Sequence, residues 1–330
     1  MVRLRRVSSS SPGWARLRHG RGFRYLDADG APLPAEDVQR CKELVIPPAW
    51  REVWICPAPN GHLQAVGTDD AGRRQYLYHP AWRERRDAEK FVHMEAFAQA
   101  LIARRAKARR DLGTEPDLTT VTATAFSLLD VGIFRIGSDR YADENGSYGL
   151  TTVEKSHVTS DGAGITFEYT AKSSQELSVT VRDKRVVALL EQLRRRRGGS
   201  DRLLAYREDG SWKDLSASQV NAYVKQLLGD DFSAKDFRTW RGTVIAAHAL
   251  STADASTKTA RRRSVAAAMR TVGEHLGNTP TIARASYVDP RVVDLFQDGI
   301  TVAAGTRSIS PGAPVSRTLE EQVLQLLDHA

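Results

Sequence analysis

Residues 275–290 read HLGNTPTIARASYVDP, with Tyr287 following Asn278 by nine residues. A tyrosine can bury its ring or use its phenol as an oxygen nucleophile, and the local sequence leaves both open. Leu276 and Gly277 have the form of a helix end, Thr279 that of an N-cap, and Pro280 that of a first helical turn. Tyr287 is therefore expected about two turns into a second helix. Upstream stand further side chains suited to chemistry on a phosphate: Arg135 in FRIGSDRYADENGSYGLTT, Lys172 between two strand-like runs, and Lys235 with Arg238 in AKDFRTWRGT. A guanidinium fork grips two oxygens at once, an ammonium delivers a proton, and a phenol forms a covalent bond. The sequence has no GxxxxGK[ST], no HExxH and no carboxylates paired at metal spacing. Side chains alone are thus expected to stabilise any phosphoryl transition state, with no metal and no cofactor.

The charge balance points the same way. Lys and Arg number 48 against 40 Asp and Glu, a formal charge of +8. Arg3, Arg5, Arg6, Arg16, Arg18, Arg21 and Arg24 all precede the first acid, Asp27, and further runs stand at Arg194–Arg197 and Arg261–Arg263. Clustered cations favour a polyanion, nucleic acid ahead of an anionic membrane surface. Cys41 and Cys56 lack metal-site spacing and read as reduced thiols of an intracellular protein. There is no signal-peptide h-region and no apolar run near the ~18 residues of a membrane span. The expectation is a soluble cytoplasmic protein without membrane partners.

These residues need elements to position them. At 330 residues the chain is long enough for two domains. Residues 1–20, which include SSSSPG, read as a flexible basic arm. Residues 21–90 read as a small, mainly β domain with Asp-Gly and Asn-Gly turn signals. Residues 91–302 read as a larger, mainly α domain, with helical patterns over 118–131, 185–195, 216–228, 237–253 and 264–276. One β-hairpin near 165–181 interrupts them: Ile165, Phe167 and Tyr169 alternate on one face, Leu177, Val179 and Val181 on its partner, with Lys172 in the turn region. Residues 303–330 read as a Gly, Pro and Ser-rich linker and a short terminal helix. The fold class is α+β.

The order Arg135, Lys172, Lys235-x-x-Arg238, then Asn278 nine residues before Tyr287, resembles the type IB DNA topoisomerases, most closely their compact bacterial and poxviral branch. RGFRYLDADGAPL and IPPAWREVWICPAPNGHLQAVGTDDAGRRQYLYH match its small domain, and SYGLTT, KDFRTW and HLGNTP its large one. The resemblance implies a catalytic domain shared with tyrosine recombinases and a two-domain, monomeric clamp around double-stranded DNA in the nucleoid. It implies relaxation of supercoils through a 3′-phosphotyrosyl intermediate and strand rotation, without ATP or metal. Tyr287 takes the nucleophile's place and Lys172 that of the general acid toward the 5′-oxygen. Arg135 and Arg238 become forks on the non-bridging oxygens, and Lys235 a supporting donor. Asn278 stands where poxviral relatives carry His, and an amide can donate a hydrogen bond but not trade a proton near neutrality. Gln75, Tyr76 and Tyr78 match a segment that contacts DNA in the major groove, and Tyr141 a phosphate contact.

Two other readings compete. A site-specific tyrosine recombinase shares the Arg-Lys-Arg-Tyr chemistry, but typically carries HxxR where this chain has Lys235-Asp236-Phe237-Arg238. A basic DNA-binding protein with an inert tyrosine would bind duplex with steep salt dependence and leave linking number unchanged.

Overall fold

The computed structural model describes residues 3–171, 175–303 and 309–329. Two compact units divide the chain, Met1–Val92 and His93–Ala330. The first holds β1 (Trp14–His19), β2 (Gly22–Leu26), α1 (Ala35–Glu43), β3 (Arg51–Ile55), β4 (Leu63–Thr68) and β5 (Arg74–Tyr78). These strands form one antiparallel five-stranded sheet in the order β2-β1-β3-β4-β5. Its core gathers Tyr25, Cys41, Ile46, Val53, Ile55 and Ala65. The segment expected to be an arm instead enters the sheet: β1 pairs with both β2 and β3, and Arg5 bridges Gly61 through Arg5 N–H to Asn60 O (2.9 Å) and His62 N–H to Arg5 O (2.9 Å). Backbone pairing within the sheet outweighs the local charge repulsion that suggested a free chain. α1 was not anticipated, because a nine-residue helix presenting Val38 and Cys41 offers too short an apolar period.

α2 (Pro80–Arg110) runs through the division. In the second unit follow α3 (Leu118–Asp130), α4 (Asp139–Asn145), β6 (Val158–Ser160), β7 (Ile165–Ala171), β8 (Gln175–Val181) and α5 (Lys184–Arg195). Next come β9 (Ala205–Glu208), β10 (Ser211–Asp214), α6 (Ala217–Leu228), α7 (Ala234–Ser251), α8 (Lys258–Leu276), α9 (Pro280–Ser286), α10 (Pro290–Gln297) and α11 (Arg317–Leu327). Helix starts follow the capping residues: Asp117 accepts from Thr120 N–H (2.7 Å), Ser216 from Gln219 N–H (3.2 Å) and Thr257 from Ala260 N–H (3.0 Å). β7 and β8 pair with Phe167 opposite Val179 and Tyr169 opposite Leu177, the faces that alternation dictates, while β6 adds a third strand.

α7 is the spine of this unit, buried at Phe237, Trp240, Val244 and Ile245 among others. Phe237 meets Phe97 and Phe126 edge to face, with centroids 5.0 and 5.1 Å away. The tail is no open linker where it is described. Ala313 O accepts from Arg241 Nη2 (2.8 Å), Ile309 O lies 3.1 Å from His275 Nε2, and buried Glu320 on α11 accepts from Trp240 Nε1 (3.0 Å). Among the described residues no helix is long and apolar enough to cross a membrane.

Candidate active site

Four of the chemistry-bearing residues converge where α7 begins and α8 ends. Ser233 caps α7 reciprocally with Asp236, whose carboxylate accepts from Ser233 N–H (2.8 Å). Asp236 is therefore occupied at the cap, and Asp139 pairs with Arg202 (2.6 Å), so neither acid neutralises the site arginines. Arg238, on the next turn of α7, is 3% exposed. Its Nη2 donates to Leu276 O (2.6 Å), and its Nη1 donates to Ile133 O.

Leu276 ends α8, and Gly277 turns the chain at φ 59°, a left-handed conformation that glycine adopts without a Cβ clash. Asn278 N–H then closes back on Gly273 O (2.8 Å), a Schellman bond that fixes where the amide side chain starts. Arg135 Nη2 donates to Asn278 Oδ1 (3.0 Å) and Gly277 O (3.3 Å), while Asn278 Nδ2 donates to Leu276 O (3.0 Å). Both guanidiniums thus rest on the carbonyl end of α8, where the helix dipole favours cations. No carboxylate pairs with either among the described residues, and Arg135 Nε and Nη1 make no hydrogen bond there.

Thr279 caps α9 by accepting from Ile282 N–H (3.3 Å), with Pro280 in the first turn as the spacing predicted. Tyr287 lies at the end of that helix rather than inside it. Its N–H still reaches Ala283 O (3.0 Å), but its φ of −127° leaves the helix, because Asp289 and Pro290 start α10 two residues on. The half-buried Tyr287 ring has the Arg238 guanidinium carbon 5.2 Å from its centroid. Burial lowers the Arg238 guanidinium to about 10, Arg135 pushes the same way, and Tyr287 opposes both. Arg238 is still a cation at neutral pH.

The remaining residues fall in three groups. Lys235 is exposed on the first turn of α7, with no hydrogen bond or ion pair among the described residues. Lys172 lies outside the described residues; the last described pair of its hairpin is Ala171 with Gln175. Tyr141 falls in α4, and its side chain is also outside what is described. His275 does not join the arginines: its ring nitrogens meet Thr271 O (2.9 Å) and Ile309 O (3.1 Å).

On β5 the structure separates what the sequence grouped. Tyr76 and Tyr78 stack at 6.3 Å on one face, with Tyr76 47% exposed. Gln75 alternates with them onto the face of Leu77, which packs on the core, and its amide donates to Asp69 (2.8 Å).

One neighbour of the arginines lies on the strand face that alternation gives to Ile165, Phe167 and Tyr169. Tyr169 on β7 is 5% exposed; burial raises its pKa, and the positive fields of Arg135 and Arg238 act against that rise. A neutral phenol beside two cations is a hydrogen-bond donor, and strict alternation along β7 concealed it.

Comparison with known proteins agrees with this geometry. Residues 79–304 match the family model of the eukaryotic DNA topoisomerase I catalytic core, and residues 22–69 that of the bacterial DNA topoisomerase IB N-terminal domain. DNA topoisomerase 1B of Acanthamoeba polyphaga mimivirus is 29% identical over 298 residues, covering 87% of this chain and 88% of the relative. DNA topoisomerase 1B of Vaccinia virus (strain Western Reserve) and DNA topoisomerase I of Monkeypox virus are each 23% identical over 241 residues, covering 71% of this chain and 72% of each relative. With two cations and a phenol converging at one helix end and a family model spanning most of its length, the chain belongs to the type IB DNA topoisomerases.

Proposed function

We propose that Tyr287 is the nucleophile with which this enzyme relaxes supercoiled duplex DNA. Its phenol oxygen attacks a backbone phosphorus, forming a 3′-phosphotyrosyl bond while the bond to the 5′-oxygen breaks. The phenol proton passes to solvent, and the departing 5′-oxygen takes a proton and leaves as a hydroxyl. After strand rotation that hydroxyl attacks back and frees Tyr287. One ester replaces another at each step, so the cycle needs no ATP.

The observation that carries this reading is the unneutralised cation pair beside the phenol: Arg238 5.2 Å from the Tyr287 ring, and Arg135 tied to Asn278 at the same helix end. As the phosphorane gains charge, guanidinium forks held beforehand on backbone carbonyls stabilise it without reorganising. Asn278 adds a hydrogen bond to a non-bridging oxygen. Lys172 serves as the acid toward the 5′-oxygen, and exposed Lys235 as a supporting phosphate contact. Tyr76 and Tyr78 meet the duplex from the exposed face of β5, with Gln75 and Tyr141 as further contacts. A single chain closing on double-stranded DNA as a clamp, in the nucleoid, is the assembly that this reading expects.

The test is relaxation of supercoiled plasmid in EDTA without nucleotide, wild type beside Tyr287→Phe. Wild type is expected to relax a plasmid that carries no specific site, which separates a topoisomerase from a recombinase. Tyr287→Phe is expected to bind duplex with near-normal affinity and form no covalent adduct. An adduct on the phenylalanine variant would remove Tyr287 from the mechanism.

A further inference from the structure

The Tyr287 backbone lies between helices and needs something to hold it. α9 ends at Ser286 and α10 begins at Pro290: Tyr287 N–H closes the first ladder on Ala283 O and Asp289 O opens the second, so Tyr287 O and Asp289 N–H fall outside both. α7 supplies the support. A Cβ built on Gly242 would stand 2.5 Å from Tyr287 O and 2.8 Å from Tyr287 Cβ, so only glycine admits this approach. Thr243 next to it is 2% exposed; its hydroxyl donates to Tyr287 O (3.3 Å) and accepts from Asp289 N–H (3.1 Å). One buried hydroxyl satisfies two backbone groups of the nucleophile's link.

Beyond the link, the buried Asp289 carboxylate caps α10 and pairs with Arg291 (2.7 Å), which also reaches Glu95 (2.6 Å). The far end of the link is therefore anchored independently. The near end rests on the Tyr287 N–H bond to Ala283 O, on Thr243 and on the missing Gly242 side chain.

Helix periodicity gives this arrangement its consequence. Gly242 follows Arg238 by four residues, so both lie on one face of α7, about 6 Å apart along its axis. The same rigid helix thus carries the fork that binds the phosphate and the seat that carries the phenol. Its pitch sets the spacing between them.

We propose that Gly242 and Thr243 are positioning residues that hold Tyr287 in register with Arg238 for in-line attack. The proposal rests on Tyr287 being the nucleophile. Thr243→Val keeps the branched shape and removes the hydroxyl that bonds Tyr287 O and Asp289 N–H. Thr243→Ser keeps the hydroxyl and loses a methyl. Gly242→Ala forces the link away from α7. Displacements on the ångström scale slow positioned reactions by up to ~100-fold.

Single-turnover formation of the covalent adduct on a labelled duplex, read beside non-covalent duplex affinity, tests it. Thr243→Val and Gly242→Ala are each expected to slow adduct formation by roughly 10- to 100-fold, with affinity within about threefold and Thr243→Ser close to wild type. Adduct formation at the wild-type rate by Thr243→Val would overturn the proposal. So would a loss that tracks weakened binding, or one that Thr243→Ser shares. Should Thr243→Val fail to fold, Gly242→Ala and Thr243→Ser decide by the same measures. Tyr287→Phe is run alongside: an adduct there refutes the nucleophile itself, whereas its absence together with a normal Thr243→Val rate refutes only the seat.

Discussion

Arg238 and Arg241 stand three residues apart on α7, each 3% exposed, and burial lowers each guanidinium to about 10. Their surroundings differ. Arg241 shares its region with Arg105, Asp130 and Glu320. Arg105 donates to Asp130 (2.6 Å) and to Glu320 (2.7 Å), and two acids balance two arginines. Arg238 has Arg135 for company and no acid, only the carbonyls of Ile133 and Leu276 and the phenols of Tyr287 and Tyr169. A buried cation without an anion is expensive, and a fold that retains one beside a second, half-buried cation leaves charge for a ligand to complete. The neutral cluster ties α11 to α3 and α7; the unneutralised one is the pair that the proposed function assigns to a phosphate. Burial does not distinguish these two arginines, whereas the acids around them do.

The sharpest way to break that distinction is Glu320→Ala. Removing one acid leaves the Trp240 indole N–H and one side of Arg105 without a partner. Breaking a buried pair in this way typically costs about 3–5 kcal/mol. Thermal unfolding should move down sharply, while DNA relaxation at a permissive temperature persists. An unchanged Tm would mean that the neutral cluster is not structural.

Arg238→Gln probes the other side. Loss of one preorganised fork should slow adduct formation by roughly 10²- to 10³-fold. The fold should suffer less than in Glu320→Ala, since the change also removes repulsion from Arg135. If calorimetry instead shows the two variants equally destabilised, with the Arg238→Gln adduct rate intact, the arginines are alike and the comparison fails.

The sequence exposes the chemistry more readily than the geometry. Arg135, Lys235-x-x-Arg238 and the nine-residue step from Asn278 to Tyr287 are visible because side-chain type and spacing are local properties. So are the helix starts near Asp117 and Ser216, whereas α8 begins at Lys258, six residues before the apolar pattern at 264–276 sets in. Gly242 and Thr243 are not visible. In a helix both residues merely lower propensity, and only the packing of a link more than forty residues away gives them meaning. β9 and β10 escape notice because four-residue strands carry almost no period, although Asp209-Gly210 marks their turn. Residues 309–315 read as linker from their Gly, Pro and Ser. Their contribution is made by backbone carbonyls at Ile309 and Ala313, which composition does not reveal.

Asn278 has the smallest expected effect and sharpens the comparison most finely, because its amide belongs to the unneutralised cluster without carrying charge. Its oxygen accepts from Arg135 and its nitrogen donates to Leu276 O. The donor must leave that carbonyl to reach a phosphate. An imidazole in its place can donate through one nitrogen and accept from Arg135 through the other, so Asn278→His should keep adduct formation within about tenfold, the worth of roughly one net hydrogen bond. It should also introduce a pH dependence that wild type lacks. Beside two cations the imidazole is driven toward its neutral form, so its titration is expected below the ordinary value of about 6.5. Above that point the neutral ring still donates and still accepts. Below it, a third cation gains a donor but loses the acceptor that orients Arg135. A rate that falls on acidification identifies acceptance from Arg135 as the main service of Asn278, and a rate that rises identifies donation to the phosphate. An Asn278→His protein that folds normally yet forms no adduct at any pH would show that the site requires the amide's own geometry.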